Sequence, residues 1–121
     1  MSSVAKQLDV RPASRLFRAL GDETRLRIVA LLSHGELCVC HLQEALGLSQ
    51  PHVSRHLAVL RAAGVVAGRR ERKWVYYRLA RQASAECERH LRGIVRAYAK
   101  RDVLRRDVER LLATRGPGAC P

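Results

Sequence analysis

Residues 39–64 read VCHLQEALGLSQPHVSRHLAVLRAAG and hold two helices with a short break between them. Val39, Leu42 and Leu46 recur at helical spacing and predict a helix over about 39–46, with Gly47 as its C-terminal stop. Ser49 is an N-cap residue, Pro51 sits where a first helical turn needs no N–H, and Gly64 is the next stop. On the helix between them, Val53, Leu57, Leu60 and Val59 are assigned to the apolar side. Gln50, Ser54, Ala58 and Arg61 lie roughly opposite, Arg55 flanks them, and His52 and His56 fall at the edge of the stripe. A short helix, a break from Gly47 to Gln50 and a second helix opening on small polar residues form a helix-turn-helix pattern.

Downstream, the period changes. Val75, Tyr77 and Leu79 alternate with Trp74, Tyr76 and Arg78, which predicts a strand, and Val65–Arg70 is its expected hairpin partner. The tip, Arg69-Arg70-Glu71-Arg72-Lys73, is strongly basic. A basic hairpin directly after a helix-turn-helix is a wing. The fold class expected is therefore mainly α with a β-hairpin wing, a winged helix-turn-helix. Upstream, Leu16, Phe17 and Leu20 predict a helix over about 13–20, and Asp22 caps another carrying Leu26, Ile28, Val29, Leu31 and Leu32. Residues 84–113 read as one long helix. Residues 1–12 are expected to form a flexible arm, 13–113 the domain and 114–121 a flexible tail, the last around Gly116-Pro117-Gly118.

The 121 residues fit one domain. An apolar content of 47% supports a packed core rather than disorder. No segment reaches the roughly 18 apolar residues of a membrane span, and MSSVAKQLDVRP has no apolar core for a secretory signal. A cytoplasmic protein is expected. Lys and Arg number 23 against 11 Asp and Glu, a net charge of +12, which favours a polyanionic partner. With one Phe, one Trp and three Tyr, the chain is poor in the aromatic residues on which single-strand and RNA readers stack bases, which weighs against those classes. No phosphate-binding loop, deaminase pattern or plausible carboxylate pair points to an enzyme.

Side-chain chemistry refines this. Gln pairs with adenine, Arg with guanine, and Ser serves base or phosphate, so Gln50, Ser54 and Arg55 are the first base-contact candidates. His52 and His56 suit phosphate, although His56 also fits a hydrogen-bonded position at the core edge. Arg69, Arg70, Arg72 and Lys73 suit phosphate or minor-groove contact. The apolar faces of residues 13–20 and 84–113 exceed what one small core covers, so a two-fold homodimer on a palindromic operator is expected. Cys38 and Cys40 are the remaining signal. On a regular helix they point about 200° apart, and they grip one soft ion only if that helix's first turn is non-helical. Two ordinary cysteines, or a thiol redox pair, are the alternatives. A DNA-binding architectural protein without a ligand is a further one.

The runs ALGDETRLRIVALL (19–32), ELCVCHLQEALGLSQPHVSRHLAVLRAAGVV (36–66) and KWVYYRL (73–79) together resemble the ArsR/SmtB family of metal-sensing repressors. ELCVC resembles the arsenic-responsive members. That resemblance implies As(III) or Sb(III) as inducer, Cys38 and Cys40 as its ligands, and release of an operator that controls arsenic-resistance genes. Many such sensors carry a third cysteine three residues after the second, where this chain has Gln43. A third ligand would then come from Cys120, Cys87, a small thiol or solvent. His41 adjoins the pair but suits zinc better. The Asp/His cluster of zinc- and cobalt-sensing relatives is not matched, since the last helix has only His90. Relatives often place Gly at the wing tip, where this chain has Arg72.

Overall fold

The structure, a computed structural model, describes residues 9–98 together with 106, 107, 109 and 110. Its elements are α1 (Arg11–Leu20), α2 (Glu23–Leu32), β1 (Leu37–Cys38), α3 (Val39–Leu46), α4 (Gln50–Ala62), β2 (Val66–Glu71), β3 (Trp74–Leu79) and α5 (Ala85–Tyr98). Helix α1 begins at Arg11, ahead of the expected start at 13, because Pro12 is tolerated in a first helical turn. Asp22 caps α2 by accepting the Arg25 N–H at 3.1 Å. Gly47 ends α3 in the left-handed region at φ 68°, and the Ser49 hydroxyl accepts the His52 N–H at 3.4 Å to open α4. These caps fix the angle at which α4 leaves the turn.

The core gathers Leu16, Leu20, Ile28, Leu31, Leu42, Leu57 and Leu91 from five helices, all buried. One expectation fails at its edge. Val59 is 43% exposed, because at 100° per residue it stands about 120° away from Val53, outside the arc that Val53, Leu57 and Leu60 bury. Phe17 is 45% exposed beside the buried Leu16, and its ring meets that of His90 at 5.2 Å, where α1 packs on α5.

The sheet has three strands in the order β1-β3-β2, all antiparallel, rather than a two-stranded hairpin alone. Strand β1 pairs Leu37 with Tyr77 and Cys38 with Tyr76. The hairpin pairs Val66 with Leu79 through to Glu71 with Trp74, one residue later than the expected Val65–Arg70 strand. Arg72 and Lys73 make the turn, and Arg72 holds φ at 58°. A non-glycine residue there costs about 1–2 kcal/mol. Arg72→Gly should therefore raise stability by roughly 0.5 kcal/mol after glycine's own entropy cost. Arg72→Val should lower it by about 1 kcal/mol, because a β-branched side chain fits this region worst. Urea unfolding of the two variants checks the order.

Of the long helix expected over 84–113, α5 covers the first half, and Arg106, Asp107, Glu109 and Arg110 are helical as well. Residues 99–105, 108 and 111–113 of that helix lie outside the described residues, as do 1–8 of the arm and the whole tail at 114–121. Among the described residues no helix is long and apolar enough to cross a membrane.

Candidate thiol cluster and nucleic-acid interface

Cys38 ends β1 and is also the N-cap of α3, with extended backbone at φ −83° and ψ 161°. It therefore stands off the helix that carries Cys40, and the divergence expected for i and i+2 on a regular helix does not apply. The two Cα atoms are 5.4 Å apart and the two sulfurs are joined as a disulfide. His41, fully buried at the third helical position, turns its Nδ1 back to accept the Cys38 N–H at 3.3 Å. The donor atoms of Cys38, Cys40 and His41 all lie within 4.8 Å of one another. Cys38 is buried whereas Cys40 is half-buried, so access from solvent is by way of Cys40. Once reduced, the two sulfurs suit a thiophilic ion, and in the described residues no other His, Cys, Asp or Glu group gathers in this way. Cys87 is elsewhere, buried where α5 starts, its N–H bonded to the Ser84 hydroxyl. Cys120 lies outside the described residues.

Along α4 the expected reading residues separate into two groups. Gln50 and Arg55 are exposed, and Gln50 donates from Nε2 to the Ser54 hydroxyl at 2.8 Å, which presents both side chains together. Arg55 has no hydrogen-bond or ion-pair partner among the described residues. His56 instead packs against the start of α2. Its Nδ1 is 3.3 Å from Arg25 Nη1 and 3.7 Å from Asp22 Oδ2. Burial pushes its pKa down, against the pull of Asp22, which favours the neutral ring. His52 stacks on His56 with ring centres 5.3 Å apart.

The wing separates in the same way. Arg70, Arg72 and Lys73 are exposed at and beside the turn, and Lys73 lies 5.2 Å from the Trp74 ring centre. Arg69 is engaged within the protein. It donates to Glu36 from Nη2 at 2.7 Å and from Nε at 3.0 Å, and its guanidinium lies 4.7 Å over the Tyr76 ring. The bond from Arg69 holds the Glu36 carboxyl below the usual carboxylate range. Glu36 is absent from the sequence-based site. Its one visible signal is its place two residues ahead of Cys38.

Comparison with known proteins agrees with this arrangement. Residues 22–67 match the model of the arsR family of bacterial regulatory proteins. An arsenic resistance transcriptional regulator of Pseudomonas putida, ArsR1, is 49% identical over 83 residues, 68% of this chain and 65% of that protein. The arsenical resistance operon repressor of Escherichia coli is 60% identical over 67 residues, 54% of this chain and 57% of that protein. The matches thus span less than two thirds of these curated relatives. The solution structure of the homodimeric winged helix-turn-helix DNA-binding domain of Mb0332 from Mycobacterium bovis, described as a possible ArsR-family transcriptional regulator, superimposes with a TM-score of 0.62. It is 30% identical, and the alignment covers 77% of this chain and 84% of that one. In the sequence of its helix-turn-helix and in the backbone of the wing and flanking helices, this chain belongs to the arsR family of bacterial regulatory proteins.

Proposed function

We propose that the protein is a dimeric DNA-binding transcriptional repressor that senses trivalent arsenic or antimony through Cys38 and Cys40 and then releases a palindromic operator. The observation that carries this reading is the extended N-cap conformation of Cys38, which sets both sulfurs together at the start of the helix before α4. The names of the Pseudomonas and Escherichia relatives support arsenic as the signal. The pair takes the inducer as a dithiol, so a cellular dithiol first donates two electrons and two protons to the disulfide. The two thiols then displace two hydroxides from arsenous acid, and two water molecules leave. The third position on trivalent arsenic falls to Cys87, Cys120, a small thiol or solvent, because the His41 imidazole beside the pair suits zinc better. Strain at the first turn of α3 reaches α4 through the turn at Gly47–Ser49 and disfavours the DNA-bound arrangement.

For DNA, Gln50, Ser54 and Arg55 are assigned to base edges, and Arg70, Arg72 and Lys73 to phosphates or the minor groove. His52, His56 and Arg69 have internal partners and are assigned to the rim of the interface. Arg55→Ala should cost about 1–3 kcal/mol in operator affinity and relax specificity at one position. Competition by operators with single base changes measures both effects. Phe17 and Tyr98, exposed on α1 and α5, extend the apolar face assigned to the dimer, and the homodimeric Mb0332 domain supports that assembly.

The test is release from an arsenic-operon promoter fragment, read by fluorescence anisotropy, with arsenite, antimonite, zinc and peroxide titrated in parallel. Release by arsenite or antimonite from the reduced protein is expected. Tight binding that neither disturbs would overturn the reading. The disulfide favours one second reading, a thiol redox repressor in which Cys38 and Cys40 are a two-electron couple. Release by peroxide alone would select it.

A further inference from the structure

Cys38 is tied to the wing by a closed ring of contacts. It pairs across the sheet with Tyr76, and Tyr76 pairs in turn with Arg69 on β2. The Arg69 guanidinium covers the Tyr76 ring and grips the Glu36 carboxylate through Nε and Nη2. Glu36 leads through Leu37 back to Cys38. Leu37 and Cys38 are fully buried, so this segment is held on both sides, by packing within and by the ion pair outside. Beyond Arg69, the end of β2 and the turn carry the exposed cations Arg70, Arg72 and Lys73, with Glu71 among them 3.6 Å from the Arg69 guanidinium.

We infer that Glu36 and Arg69 form a clamp that transmits occupancy of the cysteine pair to the wing, so that the wing, and not α4 alone, is withdrawn from DNA. The inference rests on the sensor reading above. A bidentate carboxylate–guanidinium pair fixes direction as well as distance, and it joins the strand that ends at Cys38 to the strand that leads to the turn. Backbone pairing of β1 with β3 moves the same hairpin from its other strand. A displacement at Cys38 therefore reaches both wing strands. Glu36 is a positioning residue that touches neither inducer nor DNA.

The experiment compares the parent chain with Glu36→Gln, both reduced. Trp74, the single tryptophan, lies in β3 beside the wing turn and reports the wing without DNA. Arsenite should shift its emission in the parent and shift it less than half as much in Glu36→Gln. On operator DNA, arsenite should lower the parent's salt slope, which falls by about 0.9 for each phosphate the wing ceases to neutralise. In Glu36→Gln the slope should stay near its arsenite-free value, and the arsenite-induced fold-loss of affinity should shrink several-fold. Arsenite binding itself, followed by thiolate–arsenic absorbance in the ultraviolet, should be unchanged by the substitution. Equal Trp74 and salt responses in the two proteins would overturn the clamp. So would loss of arsenite binding in Glu36→Gln, which would make Glu36 a support for the cysteine segment only. Failure of the parent itself to bind arsenite would defeat the sensor reading instead, and it is recognised by the absent absorbance.

Discussion

Serine at positions 38 and 40 together should leave operator affinity nearly unchanged and abolish release by arsenite. In the parent, coupling of ordinary size predicts that saturating arsenite weakens operator binding about 5–150-fold. The double variant should change by less than about twofold under the same titration. Serine is the right replacement because Cys38 is an N-cap, the position where a hydroxyl is favoured over a methyl group by about 1 kcal/mol. A serine at 38 can cap α3 from inside the fold, so the helix start survives while both soft ligands are gone. Cys40 is half-buried on the first turn and tolerates the same change at little cost. Each single variant should lose most of the response too, since one sulfur cannot close the chelate. Anisotropy titrations of the three variants against the parent check this, with circular dichroism confirming the fold. Loss of operator binding by the double variant without arsenite would show that the pair is structural.

Much of this site is visible in the sequence because it rests on short-range rules. Ser49, Pro51, Gly47 and Gly64 punctuate the two helices, and their effects are local enough to place α3 and α4 within a residue. The alternation from Trp74 to Leu79 marks β3 for the same reason. Strand β1 is different. At two residues it is too short for any periodicity, and it exists because β3 offers Tyr76 and Tyr77 an open edge to pair with. Yet β1 is what takes Cys38 off the helix. A reading confined to spacing leaves Cys38 and Cys40 pointing apart, and only the tertiary pairing brings them together. The Glu36–Arg69 pair is hidden likewise, since the two residues are 33 positions apart and each looks like an ordinary surface charge. Val59 shows a simpler limit. A broad apolar stripe invites inclusion of every aliphatic residue, but the buried arc of α4 is only wide enough for Val53, Leu57 and Leu60.

The other large effect is expected far from the cysteines. Asp107→Ala should destabilise the protein by about 3 kcal/mol, because it strips the partner from a charge pair at the core edge. Asp107 is 1% exposed and accepts from Arg27 Nε at 2.6 Å and Nη2 at 2.7 Å. The Arg27 side chain keeps 20% of its exposure, so it recovers some hydration when abandoned, which places the loss at the lower end for buried pairs. Arg27→Ala should be worse, since the buried Asp107 carboxylate has less access to water. Joint replacement by Arg27→Met and Asp107→Leu should recover most of the stability, because no charge is then left buried. Urea denaturation of the parent, the two alanine variants and the double variant Arg27→Ala/Asp107→Ala gives the coupling directly, and a coupling near zero would mean that the pair adds nothing. The consequence for DNA binding is specific. Three residues on, Arg110 donates to the Ala45 carbonyl at 2.9 Å, and its guanidinium lies beside Gly47 at the turn into α4. Asp107 and Arg110 thus hold the C-terminal helical segment on α2 and on the end of α3. With the Asp107 anchor removed, the orientation of α4 loses a support, so operator affinity should fall in Asp107→Ala even under conditions where the protein is fully folded.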